Sequence, residues 1–409
     1  MTLQSDDATP APSAPPLDLA VRWLAELDAQ LPEAARLRRE IHREPRVTGR
    51  EHDTARLLER FLGVPLRTVA DAGRIGRIGP GTGPAVGVRA ELDALPVQER
   101  TGADFASVNG AMHACGHDVH MAALAALVRA AQRIELPTGL GIVLQPREEG
   151  FPSGARDIVR SGALSELRIE RMVAAHVHPG VTPGQTAIGG GFVNAAADEI
   201  VITLSGRGGH GGYPHLAADP IAAMGHILVG LPEVVRRVVD PFSPAVVSVG
   251  TARSGHGASN VLPSEAEIVA TMRTTRRGER ERVFQAVRDF AQGQAASFGV
   301  QAEAELRFIE PVLENDERLA AAAEPWLRRL GIGVAEPLRS LGADDFSFFS
   351  ELMPSVMCFV GVQTPGLAQQ PMLHDAAFLP AEESIRHCAL TLMAGYLAAV
   401  ETLSSFAVR

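Results

Sequence analysis

Four short apolar runs constrain the architecture before any single residue is weighed. Ala85-Val-Gly-Val-Arg-Ala-Glu-Leu, Gly141-Ile-Val-Leu144, Met172-Val-Ala-Ala175 and Val356-Met-Cys-Phe-Val360 are too short for helices. They are also too continuously apolar for strands with one wet face. Segments of helical character separate them, including 119–134 and 153–162. Further helices are expected over 19–31, over 33–42 after Pro32, over 54–62 and over 316–330. Buried strands alternating with helices predict an α/β fold, with a largely parallel sheet carrying helices on both faces.

Near Ala195 the pattern changes. Asp198-Glu-Ile-Val-Ile-Thr-Leu204 alternates with period two, as a half-exposed strand does. A helix at 220–230, strands at 245–250 and 266–271, a charged helix at 280–297 and a strand at 301–308 come next. That β-α-β-β-α-β order is a split βαβ, ferredoxin-like α+β unit. The α/β pattern resumes after Pro311, so this unit is an insertion. A chain of 409 residues exceeds the roughly 250–300 that one core supports. The expected organisation is a disordered acidic Ser/Ala/Pro-rich tail over 1–18, a main domain from 19–194 and 309–409, and an inserted domain over 195–308.

Composition removes whole classes of function. The net charge of −10 argues against nucleic acid or an anionic membrane as partner. No apolar run reaches the roughly 18 residues of a membrane span. The tail has no apolar signal core, and Cys115, Cys358 and Cys388 are too few and too scattered for a disulfide framework. Both point to the cytoplasm. The chain contains no lysine, which excludes P-loop, protein-kinase and Schiff-base chemistry together. There is no Gly-x-Ser-x-Gly elbow, and Gly79-Pro-Gly81-Thr-Gly83 reads as a turn.

Each apolar run leads into chemically loaded residues. Asp93 comes after the first, Glu148-Glu149 after the second, His176 after the third, and a loop ending Leu373-His374 after the fourth. In open α/β sheets the carboxyl ends of the strands line the ligand crevice. His113-Ala-Cys115-Gly-His117-Asp118-Val-His120 adds a thiol and three imidazoles at the entry to a helix, a donor set suited to a transition metal. Taken singly, Cys115 would be a small buried hydrophobe, His176 a core histidine and the Glu pair solvated charge. Asp118 reads as ordering the turn, and His42, His52, His226 and His387 as surface or core residues without acidic or sulfur neighbours. In an adjacent Glu pair one carboxylate can bind metal while the other takes a proton from activated water. His210, in a Gly-rich loop, is the candidate donor to the resulting oxyanion.

Several segments resemble the M20 metallopeptidases. They are Arg89-Ala-Glu-Leu-Asp-Ala-Leu-Pro, the 113–120 stretch, Gln145-Pro-Arg-Glu-Glu, Gly208-Gly-His-Gly-Gly-Tyr-Pro-His, Ser259-Asn-Val-Leu-Pro, Gly342-Ala-Asp-Asp-Phe-Ser and Leu373-His374. The resemblance spans roughly 35 to 400, in order. It is strongest to the branch of indole-acetyl-amino-acid hydrolases, hippurate hydrolases and N-acetyl-diaminopimelate deacetylases. It implies a two-metal domain with an inserted lid domain through which homodimers form. Cys115, His117, Glu149, His176 and His374 match the branch's metal ligands and Glu148 its general base. His210 matches a lid histidine that steadies the oxyanion, and Asn260 and Arg273 match substrate-binding positions. Asp93, His113 and His120 are expected just behind the ligands. The implied cofactor is two divalent ions, Mn or Zn, with Co or Ni also compatible.

Three departures bear on specificity. Arg46 stands where the branch carries an acid, Glu91 where Asp is usual, and Arg147 where a small residue is common. Arg147 is therefore expected to add a cation near the acyl pocket. The leading reading is a metal-dependent amidohydrolase acting on small N-acyl amino acids. A dipeptidase or N-carbamoyl amino acid hydrolase is the alternative within the same chemistry. A non-catalytic binding homologue is the alternative from another class, and the spare carboxylate of Glu148 counts against it.

Overall fold

The computed structural model describes residues 17–255 and 257–404. The expected tail lies outside them, except that Leu17 and Asp18 already belong to the first helix. Positions 19–31 and 33–42 form one 27-residue helix, Leu17–Arg43, with Pro32 inside it. Its buried face, from Leu19 and Trp23 through Leu27, Ala34 and Leu37 to Ile41, continues past the proline and holds the helix together.

The described residues divide into two compact units. The first runs to Gly189 and takes in Glu317–Glu336 and the chain from Pro354 onward; the second is Gly190–Asp316 with Pro337–Met353. The expected insertion, 195–308, is thus shorter than the second unit. Residues 337–353 join that unit because Ser340 and Gly342 carbonyls accept the Ala195 amide, and the Ser340 amide donates to the Val193 carbonyl. Strand Leu313–Asn315 also pairs with Gly191–Asn194.

The first unit carries an eight-stranded sheet. Its middle strands are Gly139–Gln145, Ala85–Glu91, Ile169–His178 and Ser355–Gly361 in that spatial order, each parallel to the next. Their burial is nearly continuous, as the apolar runs required. The edges are partly antiparallel, through Gly73–Ile78 on Gly139–Gln145 and Gln185–Ala187 on Ser355–Gly361. These two strands, each second from an end of the sheet, carry no apolar run and are not legible as strands from sequence. Chain order crosses sides after Gly139–Gln145, so a topological switch lies between the strands Ala85–Glu91 and Ile169–His178.

Helix His117–Ala131 has all but one of its residues buried. Its many alanines let it lie inside the core against Leu17–Arg43 and the C-terminal helix Glu383–Ser404. Trp23 donates from Nε1 to the Leu127 carbonyl at 3.1 Å, and its ring meets Tyr396 edge-on at 5.1 Å. The polar atom of this buried indole is thereby satisfied where water cannot reach.

The second unit has an antiparallel sheet in the order Ala245–Ser254, Glu265–Thr274, Ala196–Ser205, Gln301–Glu310. Helices Pro220–Val238 and Glu279–Ala296 cover one face. Ile200, Ile202 and Leu204 alternate inward to meet Ile227, Leu231, Val283 and Val287. This is the ferredoxin-like order of strands.

Candidate metal centre and catalytic pair

Asp93, the Glu148–Glu149 pair and His176 sit at or just past the carboxyl ends of parallel strands, and Cys115, His117 and His374 come in on the connections beyond them. Gly116 makes the turn that presents Cys115 and His117. It is left-handed at φ 85°, and a Cβ there would stand 2.4 Å from Val177 Cγ2. Only glycine meets both conditions. His374 arrives on a loop whose backbone is pinned by its amide donating to the Ala114 carbonyl at 2.9 Å. It is left-handed too, at φ 70°, a strained conformation for a β-carbon-bearing residue.

Two histidines are fixed in the same tautomer by backbone carbonyls. His117 donates from Nδ1 to the Asp93 carbonyl at 2.8 Å, and His176 from Nδ1 to the Val177 carbonyl at 2.7 Å. Each therefore turns the Nε2 lone pair inward, the arrangement a metal-binding imidazole needs. His176 Nε2 lies 3.5 Å from Cys115 Sγ, and His374 Nε2 lies 3.3 Å from Glu149 Oε1. Among the described residues the buried His117 Nε2 has no hydrogen-bond partner, and it stands 3.7 Å from Glu148 Oε2.

His120 is held the opposite way. Its Nδ1 donates to Glu91 Oε2 at 2.9 Å, and its Nε2 accepts the Val177 amide at 2.9 Å. It has no lone pair left to give. Glu91, His117, His120 and His176 have ligand atoms within 4.8 Å of one another, but His120's bonding excludes it as a donor to a cation there. Its ring packs on His176 at 4.6 Å, with Glu91 held in turn by Arg89, and Arg89 by Gln145 at 2.8 Å. His120 thus steadies a ligand candidate by contact.

The Glu pair is aimed through its backbone. Asp93, fully buried, accepts the Glu148 amide on Oδ1 at 3.1 Å and the Glu149 amide on Oδ2 at 2.9 Å. Thr48 Oγ1 donates to the same carboxylate at 2.7 Å.

Two donor groups fit divalent cations: Cys115, Glu149 and His374, and His117, Glu148 and Glu149, each with ligand atoms within 4.8 Å of one another. The electrostatics agree. Burial, then Glu149 and Glu148, push the Cys115 thiol well up. The His374 imidazole is raised by its bond to Glu149. The His117 imidazole is raised too, because Glu91, Glu149 and Asp93 outweigh its burial. In each of these shifts nearby carboxylates contribute negative charge that a cation would neutralise.

Other expectations need correction. His42 is not without acidic company: its Nδ1 meets Asp118 Oδ2 at 3.0 Å and its Nε2 meets Glu99 Oε1 at 3.1 Å. Burial alone would lower its pKa, but the two carboxylates raise it to about 9. Asp118 does more than order a turn, since Arg38 Nε also donates to it at 2.8 Å and ties helix Leu17–Arg43 to the ligand-bearing turn. His113 is buried with no hydrogen-bond partner on either nitrogen among the described residues, and its ring lies 6.5 Å from that of His42. Arg147 is engaged within its own loop and its neighbours. Its guanidinium is taken up by the Ala70 carbonyl, the Pro152 carbonyl and Asp157 Oδ2. Arg46 lies 3.3 Å from Asp53 and 3.7 Å from Glu44 in ion pairs. Spacing could have revealed the His42 contact: His42 falls one helical turn after Arg38, on the same face.

The remaining candidates lie in the second unit. His210 pairs with Val261 in a two-stranded ladder, and the Asn260 carbonyl accepts the Gly211 amide at 2.8 Å, so the two residues are neighbours. His210 is exposed, and its Nδ1 accepts the Gly212 amide at 3.0 Å. Arg273 lies on the central strand Glu265–Thr274, opposite Ala197 and Val246.

Known proteins resemble this chain in sequence and fold. The model of peptidase family M20/M25/M40 matches residues 87–396. The N-acetylcysteine deacetylase of Bacillus subtilis is 34% identical over 371 residues, 88% of this chain and 94% of that protein. The N-acetyldiaminopimelate deacetylase of Halalkalibacterium halodurans is 33% identical over 375 residues, 90% of this chain and 98% of that protein. Among solved structures, a Bacillus subtilis protein described as a dinuclear metal-binding peptidase of family M20 superposes with a TM-score of 0.79 at 30% identity. That superposition covers 91% of this chain and 99% of the other. With its parallel sheet, its donor groups and its Glu pair in place, the chain belongs to peptidase family M20/M25/M40 and is a hydrolase acting on amide bonds.

Proposed function

We propose that the chain hydrolyses the amide of small N-acyl amino acids, with two divalent cations as cofactors and Glu148 as the proton carrier. One observation carries the assignment. Glu149 belongs to both of the donor groups named above and can serve two cations, whereas Glu148 is absent from the one with Cys115 and His374. One carboxylate of the pair is therefore spare for proton transfer. The relatives named above act on N-acetyl amino acids by their names, which supports a short acyl group.

Cys115, His117, Glu149, His176 and His374 would hold the cations. When bound, these supply Lewis acidity toward the scissile carbonyl and the attacking water. Glu148 takes a proton from that water as its oxygen bonds to the acyl carbon. The same carboxyl returns the proton to the amine nitrogen as the C–N bond breaks, releasing a carboxylic acid and an amino acid. Asp93 keeps the pair aimed by holding both amides. To His210 we assign stabilisation of the oxyanion, and to Asn260 and Arg273 recognition of the substrate's carboxylate, which suits an Arg fork. Zinc suits the thiolate, while imidazole and carboxylate donors suit Mn, Co or Ni. We also propose a cytoplasmic homodimer. The outer strand Ala245–Ser254 leaves Val246 and Val249 exposed on an open edge, and three buried free cysteines suit a reducing compartment.

The test is a panel of N-acyl amino acids, dipeptides and N-carbamoyl amino acids, offered to metal-stripped protein reloaded with Mn, Zn, Co or Ni separately. N-acyl substrates should be cleaved only after reloading. Faster cleavage of dipeptides with a free amino group would overturn the assignment.

A further inference from the structure

We propose that Glu51 is a positioning residue for the Glu148–Glu149 pair and acts through the backbone of Arg147. The inference rests on the proposed role of that pair.

Residues 46–51 run beside the strand end that carries Asp93. The Ala94 amide donates to the Arg46 carbonyl at 2.8 Å, and Val47 bridges to Ala94. From this segment Thr48 reaches the Asp93 carboxylate, and Glu51 Oε1 accepts the Arg147 amide at 2.9 Å. Three successive amides, 147, 148 and 149, are thus each held by a carboxylate, the first by Glu51 and the next two by Asp93.

Asp93 alone fixes two amides and leaves the peptide before Arg147 free to rotate. That peptide decides where the pair points, because Arg147 is left-handed at φ 51°, a conformation disfavoured for a residue with a side chain. Arg147 is clamped at both ends, its amide by Glu51 and its guanidinium by Ala70, Pro152 and Asp157. The loop beyond is closely packed. A Cβ on Gly150 would lie 2.4 Å from Thr48 Cγ2, and one on Gly154 only 1.7 Å from the Pro146 carbonyl oxygen.

Glu51 has zero exposure and no ion pair among the described residues. Burial raises its pKa, opposed by bonds from the backbone amides of Gly49, Glu51 and Arg147, and Asp93 repels it. Placing a second carboxyl beside Asp93 at such a cost is accounted for by the amide it holds.

The experiment compares Glu51→Ala, Glu51→Gln and Glu51→Asp. It reads kcat and KM on the best N-acyl substrate, cobalt binding to the metal-stripped protein by its thiolate absorbance, and folding by circular dichroism. Glu51→Ala is expected to lower kcat and cobalt affinity each by about 10–100-fold with KM little changed. Glu51→Gln keeps an acceptor oxygen in place and should restore most of both. Glu51→Asp withdraws the oxygen by one methylene and should behave like Ala. A folded Ala variant with wild-type kcat and cobalt binding overturns the proposal, as does a Gln variant no better than Asp. Should Ala not fold, the Gln-against-Asp difference decides. If the wild type cleaves no N-acyl substrate, the functional reading fails, and the cobalt titrations still judge Glu51.

Discussion

His117 and Asp118 stand side by side at the start of helix His117–Ala131, and each centres a buried charged cluster. Around Asp118 the charges come from the protein alone: Arg38 and His42 face Asp118 and Glu99. Around His117 they do not balance. Glu148, Glu149 and a thiol face imidazoles whose lone pairs are turned inward, and His117 Nε2 has no partner among the described residues. A buried ion cluster that closes on itself contributes structure, whereas one that leaves donors over is prepared for something not in the chain. One helical turn carries both, so the anchor sets the position of the site.

The comparison predicts opposite phenotypes for the two sides. Glu148→Gln should lower kcat by about 10²–10⁴-fold, the range for losing a general base, with metal content and thermal stability near wild type. Residual activity above a tenth of wild type in metal-replete protein would remove Glu148 from the proton-transfer role. On the other side, His42→Ala leaves Asp118 and Glu99 buried with one cation fewer. It should cost about 3–5 kcal/mol of unfolding free energy by denaturant titration. Any kcat loss should then track the fraction unfolded. An unchanged denaturation midpoint would show that the anchor bears no weight.

The contrast between the clusters also marks what a sequence can convey. The four parallel strands and the strand-end acids and histidines are legible, because burial on both faces forces continuous apolar runs and the crevice forces chemistry to their ends. The strands Arg67–Val69 and Gly73–Ile78 are not legible, since the first is only three residues long and Gly-Arg-Ile-Gly-Arg-Ile carries neither an apolar run nor a period of two. The donor set shows itself through residue types. The tautomers that make His117 a donor and exclude His120 depend on the Asp93 carbonyl and the Val177 amide, and backbone groups are the same in every sequence. His42 looks isolated in sequence because its partners lie 57 and 76 residues away in the chain. Arg147 misleads for a similar reason, as its partners are mostly carbonyls.

A pH titration of stability sharpens the comparison without mutating the site. The folded pKa of His42, about 9, stands above the unfolded value of 6.5, so the folded state holds an extra proton between them. That contribution is fully present below about pH 6.5 and is lost as pH rises through about 9. The shift of roughly 2.5 units corresponds to ~3 kcal/mol. Urea unfolding of metal-free protein from pH 6 to 10 should show this fall, and His42→Gln should abolish it. An equal fall in the variant would assign it to other groups.

The smallest expected effect comes from Glu99→Gln, which separates shape from charge. Glu99 accepts from His42 and Thr101 on Oε1 and from the Ser107 amide on Oε2 at 2.6 Å. An amide in its place can keep its oxygen toward Ser107 and turn its NH₂ to His42 Nε2, which then accepts as a neutral imidazole still donating to Asp118. The Thr101 hydroxyl loses its acceptor but is only half-buried and can turn to water, so the loss should be roughly 1–2 kcal/mol at pH 6. The alkaline fall in stability should shrink, because one of the two carboxylates that raise the His42 pKa has lost its charge. Since Glu99 touches none of the donor groups, kcat should stay within about twofold, less than one weak hydrogen bond at the site would change it. A tenfold loss of kcat with the fold intact would mean that the charge on the anchor is felt across the turn at His117, and that the two clusters form one electrostatic unit.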